Sequence, residues 1–404
     1  MLWLLAALVF VEDGLRFKEH LRNPRIDTIP DEQLGVRFRA NAQGMDANGY
    51  RNHSVPTAAE IVTLGDSVTW GVNATLDATW PSDLERLSGR SVYNMSVGGW
   101  SMAQYDAALG GALMLRPRIV VVALFFGNDL WETYRSVYTL DGYRPLRHNE
   151  PMLDVDSDPV ERRAAEYWRS TKGFLDSYGS WPPTGWPGWA LRHTAIGRLS
   201  NRALLSIGVA EDAWFEAGAA WAMSDPDDVV KCRTQGVSTI LTPGYRLLSL
   251  NLDEPRIREG LRLTKELFNE INARAKSEPV RLLYVLIPTK EHVFDGCLDD
   301  ARQPPTGALA TVVRNEDTIR SVFMTWCAEQ NATCLDVLRP MQAAIRAGQQ
   351  IYPRSEDGHP NAAGYSVIAR SVDEALRSFG WGPGSAEPAI VTQGRSDKET
   401  PALN

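Results

Sequence analysis

The chain is poor in the residues that build metal centres, with four cysteines and six histidines in 404 residues. Cys232, Cys297, Cys327 and Cys334 form no CxxC pair, which excludes zinc-ribbon spacing, and no HExxH occurs. No metal and no cofactor is expected. Basic charge is also short: 42 Lys and Arg stand against 50 Asp and Glu, a net charge of −8. A surface of that sign offers no footprint for nucleic acid. Internal repeats are absent. So is an apolar run long enough to cross a bilayer. Leu2–Val11 is uninterrupted but spans only about 15 Å as helix, against about 30 Å of hydrocarbon. No basic residue precedes it and no clear small-x-small cleavage site follows. Residues 1–20 therefore read as part of a membrane anchor or signal segment, with a buried N-terminal helix as the alternative. On the anchor reading the protein belongs to the cell envelope, on the periplasmic or extracellular side. In such an oxidising compartment Cys327 and Cys334, which flank "AEQNAT", can close a small loop; otherwise all four thiols stay free.

What is present is an ordinary globular composition, 44% apolar and 23% charged. Residues 21–59 are polar and turn-rich and read as a connecting segment with a hairpin or two. From residue 60 a strand–helix rhythm begins and carries to about residue 380. "EIVTLGD" is a strand that stops at Gly65. "TWPSDLERLSG" is a helix with Thr79 as N-cap and Pro81 in its first turn. "SVYNMSVGG" is a second strand and loop, and "SMAQYDAALGGALML" has helical spacing. "RIVVVALFFGND" is apolar on both faces, as the middle of a parallel sheet requires. Residues 135–255 interrupt the rhythm and read as an insertion, with helices near 158–175 and 190–222. "PRIREGLRLTKELFNEINARAKS" is amphipathic, with Ile257, Leu261, Leu263, Leu267 and Ile271 on one side. "VRLLYVLIP" and "TCLDVL" are further strands, with the helical "NEDTIRSVFMTWCAEQ" between them. A last helix starts at Pro360, and residues 381–404 are polar and read as a disordered tail. The pattern predicts an α/β chain: a three-layer α/β/α sandwich on a parallel sheet, with a large helical insertion.

Ligands of such sheets sit beyond the carboxyl ends of the strands. Three ends here carry unusual residues: Gly65-Asp66-Ser67, then Gly98-Gly99, then Gly127-Asn128-Asp129. A fourth segment, "SEDGHPNAAG", sets Asp357 and His359 before the last helix. A serine hydroxyl needs a base to take its proton and donors for the oxyanion that forms. His359 is the candidate base. Asp357 lies two residues before it, so in an extended segment both side chains point the same way. The carboxylate can then hold Nδ1–H and leave Nε2 for Ser67. The N–H groups of Ser67 and Gly99, with the Asn128 amide, would donate to the oxyanion.

The blocks "GDSVTWG", "NMSVGGW", "GND" and "DGHPN", in that order, resemble the four blocks of the SGNH (GDSL-type) hydrolases. The resemblance implies a flavodoxin-like fold and esterase, lipase or carbohydrate O-deacetylase activity. It also implies Ser67 as nucleophile, Gly99 and Asn128 as oxyanion donors, and His359 as base. It covers residues 60–130 and 280–378. With "NGYRN" upstream and "LIPTKEHVF" downstream, the chain is similar to a membrane-anchored bacterial subgroup. The family usually carries its acid three residues before the histidine. That position holds Glu356 here, and Asp357 is the favoured acid. The GxSxG pattern of α/β-hydrolases is absent.

The expected chemistry is hydrolysis of an acyl ester, with an O-acetyl group on an envelope polysaccharide as the favoured substrate. The alternatives are transfer of the acyl group to a glycan hydroxyl by the same residues, and a noncatalytic glycan-binding module. Trp70, Trp100 and Trp131 lie within three residues of the proposed site and are candidates to stack on a sugar ring, with core packing as the competing reading. Trp181, Trp186 and Trp189 are candidates for a lid. The remaining histidines, His20, His53, His148, His193 and His292, read as surface or core residues.

Overall fold

The computed structural model describes residues 28–42, 44–148, 194, 196, 229–296 and 307–382. Strands β1 (Thr28–Asp31) and β2 (Gly35–Phe38) pair antiparallel as a hairpin. β3 (Ile61–Leu64), β4 (Val92–Asn94) and β5 (Ile119–Phe125) follow. β6 (Val230–Thr234) and β7 (Val237–Leu241) form a second antiparallel hairpin, before β8 (Arg281–Ile287) and β9 (Thr333–Asp336). The main sheet has the order β4-β3-β5-β8-β9 with every neighbouring pair parallel. The chain runs outward from β3 to β4, then crosses back to β5. The reversal leaves a crevice beyond the carboxyl ends of β3 and β5, where such sheets bind ligands.

The helices are α1 (Ser67–Trp70), α2 (Trp80–Ser88), α3 (Met102–Met114), α4 (Asp129–Thr139), α5 (Pro243–Leu250), α6 (Pro255–Lys276), α7 (Lys290–Val293), α8 (Gly307–Glu329), α9 (Leu338–Arg346) and α10 (Ala362–Ser378). All residues of β5 are buried because helices cover both of its faces. Val120, Val122 and Leu124 point into a core shared with α3, α4, α6 and α8. Val121, Ala123 and Phe125 point the other way, toward α2, α9 and α10. The expected three-layer α/β/α sandwich is therefore present.

Local chemistry sets the helix ends. Thr79 accepts from the Ser82 N–H, Pro81 sits in the first turn of α2, and Gly89 ends it with φ +67°. Helix α6 buries Ile257, Leu263, Leu267 and Ile271, each worth about 1.5–3 kcal/mol. It can lie against α4 because Gly260 has no Cβ to strike the Leu130 carbonyl. Helix α10 begins differently from the expectation at Pro360. Asn361 is its cap, accepting from the N–H groups of Ala363 and Gly364. Helix α9 and the β6–β7 hairpin were not expected.

Cys327 and Cys334 are bridged, tying the end of α8 to β9, and Cys232 is also disulfide-bonded. These three are not free thiols. Residues 1–20, the helices expected near 158–175 and 190–222, Trp181, Trp186, Trp189, His20, His193, Cys297 and the tail from 383 lie outside the described residues. No described helix is long and apolar enough to cross a membrane.

Candidate active site

The sheet brings three strand ends and one C-terminal loop to the same crevice. At the end of β3, Asp66 caps α1 by accepting from the Val68 N–H at 2.9 Å. Gly71 closes this single turn, its N–H bonded to the Ser67 carbonyl. Ser67 is thus the first residue of a tight, capped turn at the mouth of a buried strand. Two segments hold the turn from outside. Arg51 donates to the carbonyls of Trp70, Gly71 and Ala74 at 3.0, 2.7 and 2.7 Å. Asn52 exchanges two bonds with the backbone of Asn94 on β4, and the Asn94 amide donates to the Thr69 carbonyl. "NGYRN" is therefore a brace around the serine turn.

His359 reaches this turn across 292 positions of sequence, with Nε2 3.0 Å from Ser67 Oγ. Its Nδ1 lies 2.7 Å from Asp357 Oδ1, and its own N–H donates to the same oxygen at 2.9 Å. A carboxylate at Nδ1 fixes the proton there and leaves Nε2 as an acceptor. Burial alone would raise the Asp357 carboxyl, but the hydrogen bond and charge of His359 outweigh it and hold it well below the usual carboxylate range. The carboxylate's contribution to stability is then complete above the ordinary aspartate value of 3.8 and is lost as pH falls below it, through the depressed native value. Urea titrations of the native chain and Asp357→Asn should therefore show a stability gap that narrows in strong acid. A gap independent of pH would contradict this.

The hydroxyl of Ser67 also lies 3.1 Å from Asp66 Oδ2. Asp66 is fully buried, which raises its carboxyl against the opposing bond from Val68 and the charge of His359. Asn73 was missed by sequence reasoning. It takes φ +65° just after the serine turn, and its amide donates to the His359 carbonyl at 3.4 Å. An Asn in a turn after a short helix was the available signal.

The expected oxyanion donors Gly99 and Asn128 follow the ends of β4 and β5, the two strands that flank β3. Loop 95–97 continues the pairing of β4 with β3: Met95 N–H donates to Thr63 and Val97 N–H to Gly65. This sets Gly98 against the serine, where a Cβ would lie 3.6 Å from that of Ser67. Gly99 then turns with φ +82°, a conformation that favours glycine. Asn128 is the N-cap residue of α4, and its amide oxygen is buried without a partner. The next residue, Asp129, is fully buried and fixes the loop by accepting from the Phe125 N–H and the Tyr105 hydroxyl. Burial, with the charge of Asp66 adding to it, pushes the Asp129 carboxyl well up.

The tryptophans correct an expectation. Trp100 is wholly buried, with its indole N–H on the Val36 carbonyl at 2.8 Å. Trp131 is buried beside Tyr134. Neither offers a face to a ligand, because the β1–β2 hairpin and the aromatic row of α4 cover them. Trp70 is half-buried, with the Arg51 guanidinium 4.1 Å over its ring and Phe38 packed against it. Trp100→Ala should then cost about 3–5 kcal/mol of stability and leave KM for esters unchanged. A raised KM on glycan esters with native stability would restore the platform. Of the histidines, His53 and His148 are exposed beside Asp77 and Glu259, and His292 is buried among Arg320 and Glu316. Among the described residues no group of His, Cys, Asp or Glu is arranged to hold a metal.

A serine, an imidazole and a carboxylate bonded in series can deprotonate the hydroxyl for attack on a carbonyl carbon. No protein-family model matches the chain, and no curated protein matches it. Three solved structures illustrate the likeness found. An extracellular lipase from Streptomyces rimosus is 12% identical, aligned over 79% of this chain and 100% of that one, with a TM-score of 0.38. A phospholipase A1 from Streptomyces albidoflavus NA297 is 12% identical over 79% and 99%, at 0.36. A GDSL-like lipase from Bacteroides thetaiotaomicron VPI-5482 is 11% identical over 79% and 88%, at 0.31. These superpositions are loose, and the chemistry is read from this chain's own atoms.

Proposed function

We propose that this chain is a serine ester hydrolase of the SGNH (GDSL) type, with Ser67 as nucleophile, His359 as base and Asp357 orienting the imidazole. The observation that carries this reading is the 3.0 Å approach of His359 Nε2 to Ser67 Oγ, with Asp357 2.7 Å from Nδ1. Ser67 Oγ attacks the ester carbonyl while its proton passes to Nε2. Asp357 stabilises the imidazolium without taking the proton. The oxyanion accepts from the N–H groups of Ser67 and Gly99 and from the Asn128 amide, each donor worth about 3 kcal/mol. Collapse expels the alcohol, which takes the proton from His359. Water then repeats the cycle and frees the acid. All of this uses side chains and backbone alone.

The substrate is an acylated small molecule or glycan, with an O-acetyl ester on an envelope polysaccharide favoured. The apolar stretch Leu2–Val11, read as attaching the chain to the membrane through its N-terminus, and the family resemblance support that choice. The buried tryptophans lend it nothing. A fluorophosphonate probe tests the chemistry: the native chain should be labelled, with the adduct on Ser67. A chain left unlabelled, or labelled elsewhere, overturns the reading. Release of free acetate from an acetylated glycan, rather than acetyl transfer to an added one, distinguishes the hydrolase from a transferase built on the same residues.

A further inference from the structure

Helix α5 lies outside all four sequence blocks, yet its Arg246 stands between two of them. The side chain is buried, with Nη1 donating to the Gly127 carbonyl at 2.8 Å and Nε paired with Glu291 at 3.3 Å. Glu291 is itself wholly buried and accepts from the Thr242 N–H at the start of α5. On its other side, Arg246 meets the loop of the base. A Cβ on Gly358 would lie 2.6 Å from Nη2, and the only other heavy atom it would approach is Cζ of the same guanidinium, at 3.9 Å. A Cβ on Gly127 would lie 2.6 Å from Nη1 and would also strike the Phe125 ring. Neither glycine has a positive φ, so backbone conformation does not call for glycine at either place. At Gly358 space for the guanidinium does; at Gly127 the Phe125 ring and the guanidinium both do.

Lys290 completes the arrangement. It is wholly buried and donates to the carbonyls of Ile240, Ser355 and Asp357 at 2.7, 3.0 and 3.0 Å, which uses all three protons of an ammonium. The loop that carries Asp357 is thus held from below by Lys290 and braced from the side by Arg246.

We propose that Arg246 is a positioning residue that sets the Asn128 loop against the Asp357–His359 loop, and that Gly358 is glycine to admit its guanidinium. The proposal rests on the esterase reading. A displacement of about 1 Å in such a site costs on the order of 10²-fold in rate, so a planar fork that spans both loops is not replaceable by a point charge.

A double-mutant cycle tests it, with Arg246→Lys, Gly358→Ala and the pair assayed on 4-nitrophenyl acetate. Each single variant should lower kcat by about tenfold or more with KM within about twofold. The pair should be no slower than the slower single variant, because the added methyl matters only while the guanidinium is there. Melting curves establish that each protein is folded. Gly358 is a half-exposed loop residue, so where the Arg246 variant does not fold, Gly358→Ala decides alone, and an unchanged kcat overturns the proposal. An unchanged kcat in Arg246→Lys, or costs that multiply in the pair, also overturns it. Fluorophosphonate labelling separates the two levels: a labelled native chain with an indifferent cycle sinks the role of Arg246 only. An unlabelled native chain sinks the esterase reading and this proposal with it.

Discussion

Ser67→Ala should fold like the native chain and lose ester turnover by about 10⁴-fold or more. The hydroxyl is the only group removed. Its recorded partners are His359 Nε2 and Asp66 Oδ2, and the capping bond of Asp66 to Val68 does not involve it. The change in stability should stay within about 1 kcal/mol, the net worth of one hydrogen bond. The rate loss is large because the remaining groups have nothing to activate. An imidazole poised to accept a proton is useless without the oxygen that surrenders it, and the oxyanion donors act only on an adduct that no longer forms. Turnover of 4-nitrophenyl acetate and loss of fluorophosphonate labelling measure this together. Retention of even a tenth of native kcat would mean that another group carries the reaction.

Asp357→Asn should lower kcat by up to about 10⁴-fold, while Glu356→Gln should leave it within about twofold of native. Asp357 meets His359 twice through one oxygen, at the ring Nδ1 and at the backbone N–H. An asparagine oriented to donate at Nδ1 would move the ring proton to Nε2, where it faces the serine hydroxyl and blocks its deprotonation. KM should change little in Asp357→Asn, since that carboxylate acts through the imidazole. Kinetics of the two variants side by side provide the check. A large loss in Glu356→Gln with an active Asp357→Asn would transfer the orienting role to Glu356.

Much of this fold could be read in one dimension. The runs at 61–64, 119–125 and 281–287 are β-branched and leucine-rich, and continuous burial needs no information from afar. The pairing of Asp357 with His359 was also local, because a separation of two in extended chain aligns the side chains. The elements that escaped have local reasons of their own. Pro340 sits in "LRPMQAAIR" and hides α9, although a proline in the first turn is tolerated. The hairpin turn at Gln235 and Gly236, both with positive φ, left a weaker trace than an Asn-Gly pair would have. Trp100 looked available because its neighbours in sequence are small and polar. Its cover comes from β2, more than sixty positions away. Arg246 was illegible for the same reason: Gly127 and Gly358, which face it, lie more than a hundred positions away in either direction.

The 292-position gap between Ser67 and His359 also sets a clock on biosynthesis. A ribosome adding about 5–20 residues per second needs roughly 15–60 s to travel from one codon to the other. Through that interval the nascent chain carries Ser67 without His359, so on the proposed chemistry it is inert toward any ester it meets. Reactivity is switched on late in translation, once the last helix has emerged and docked.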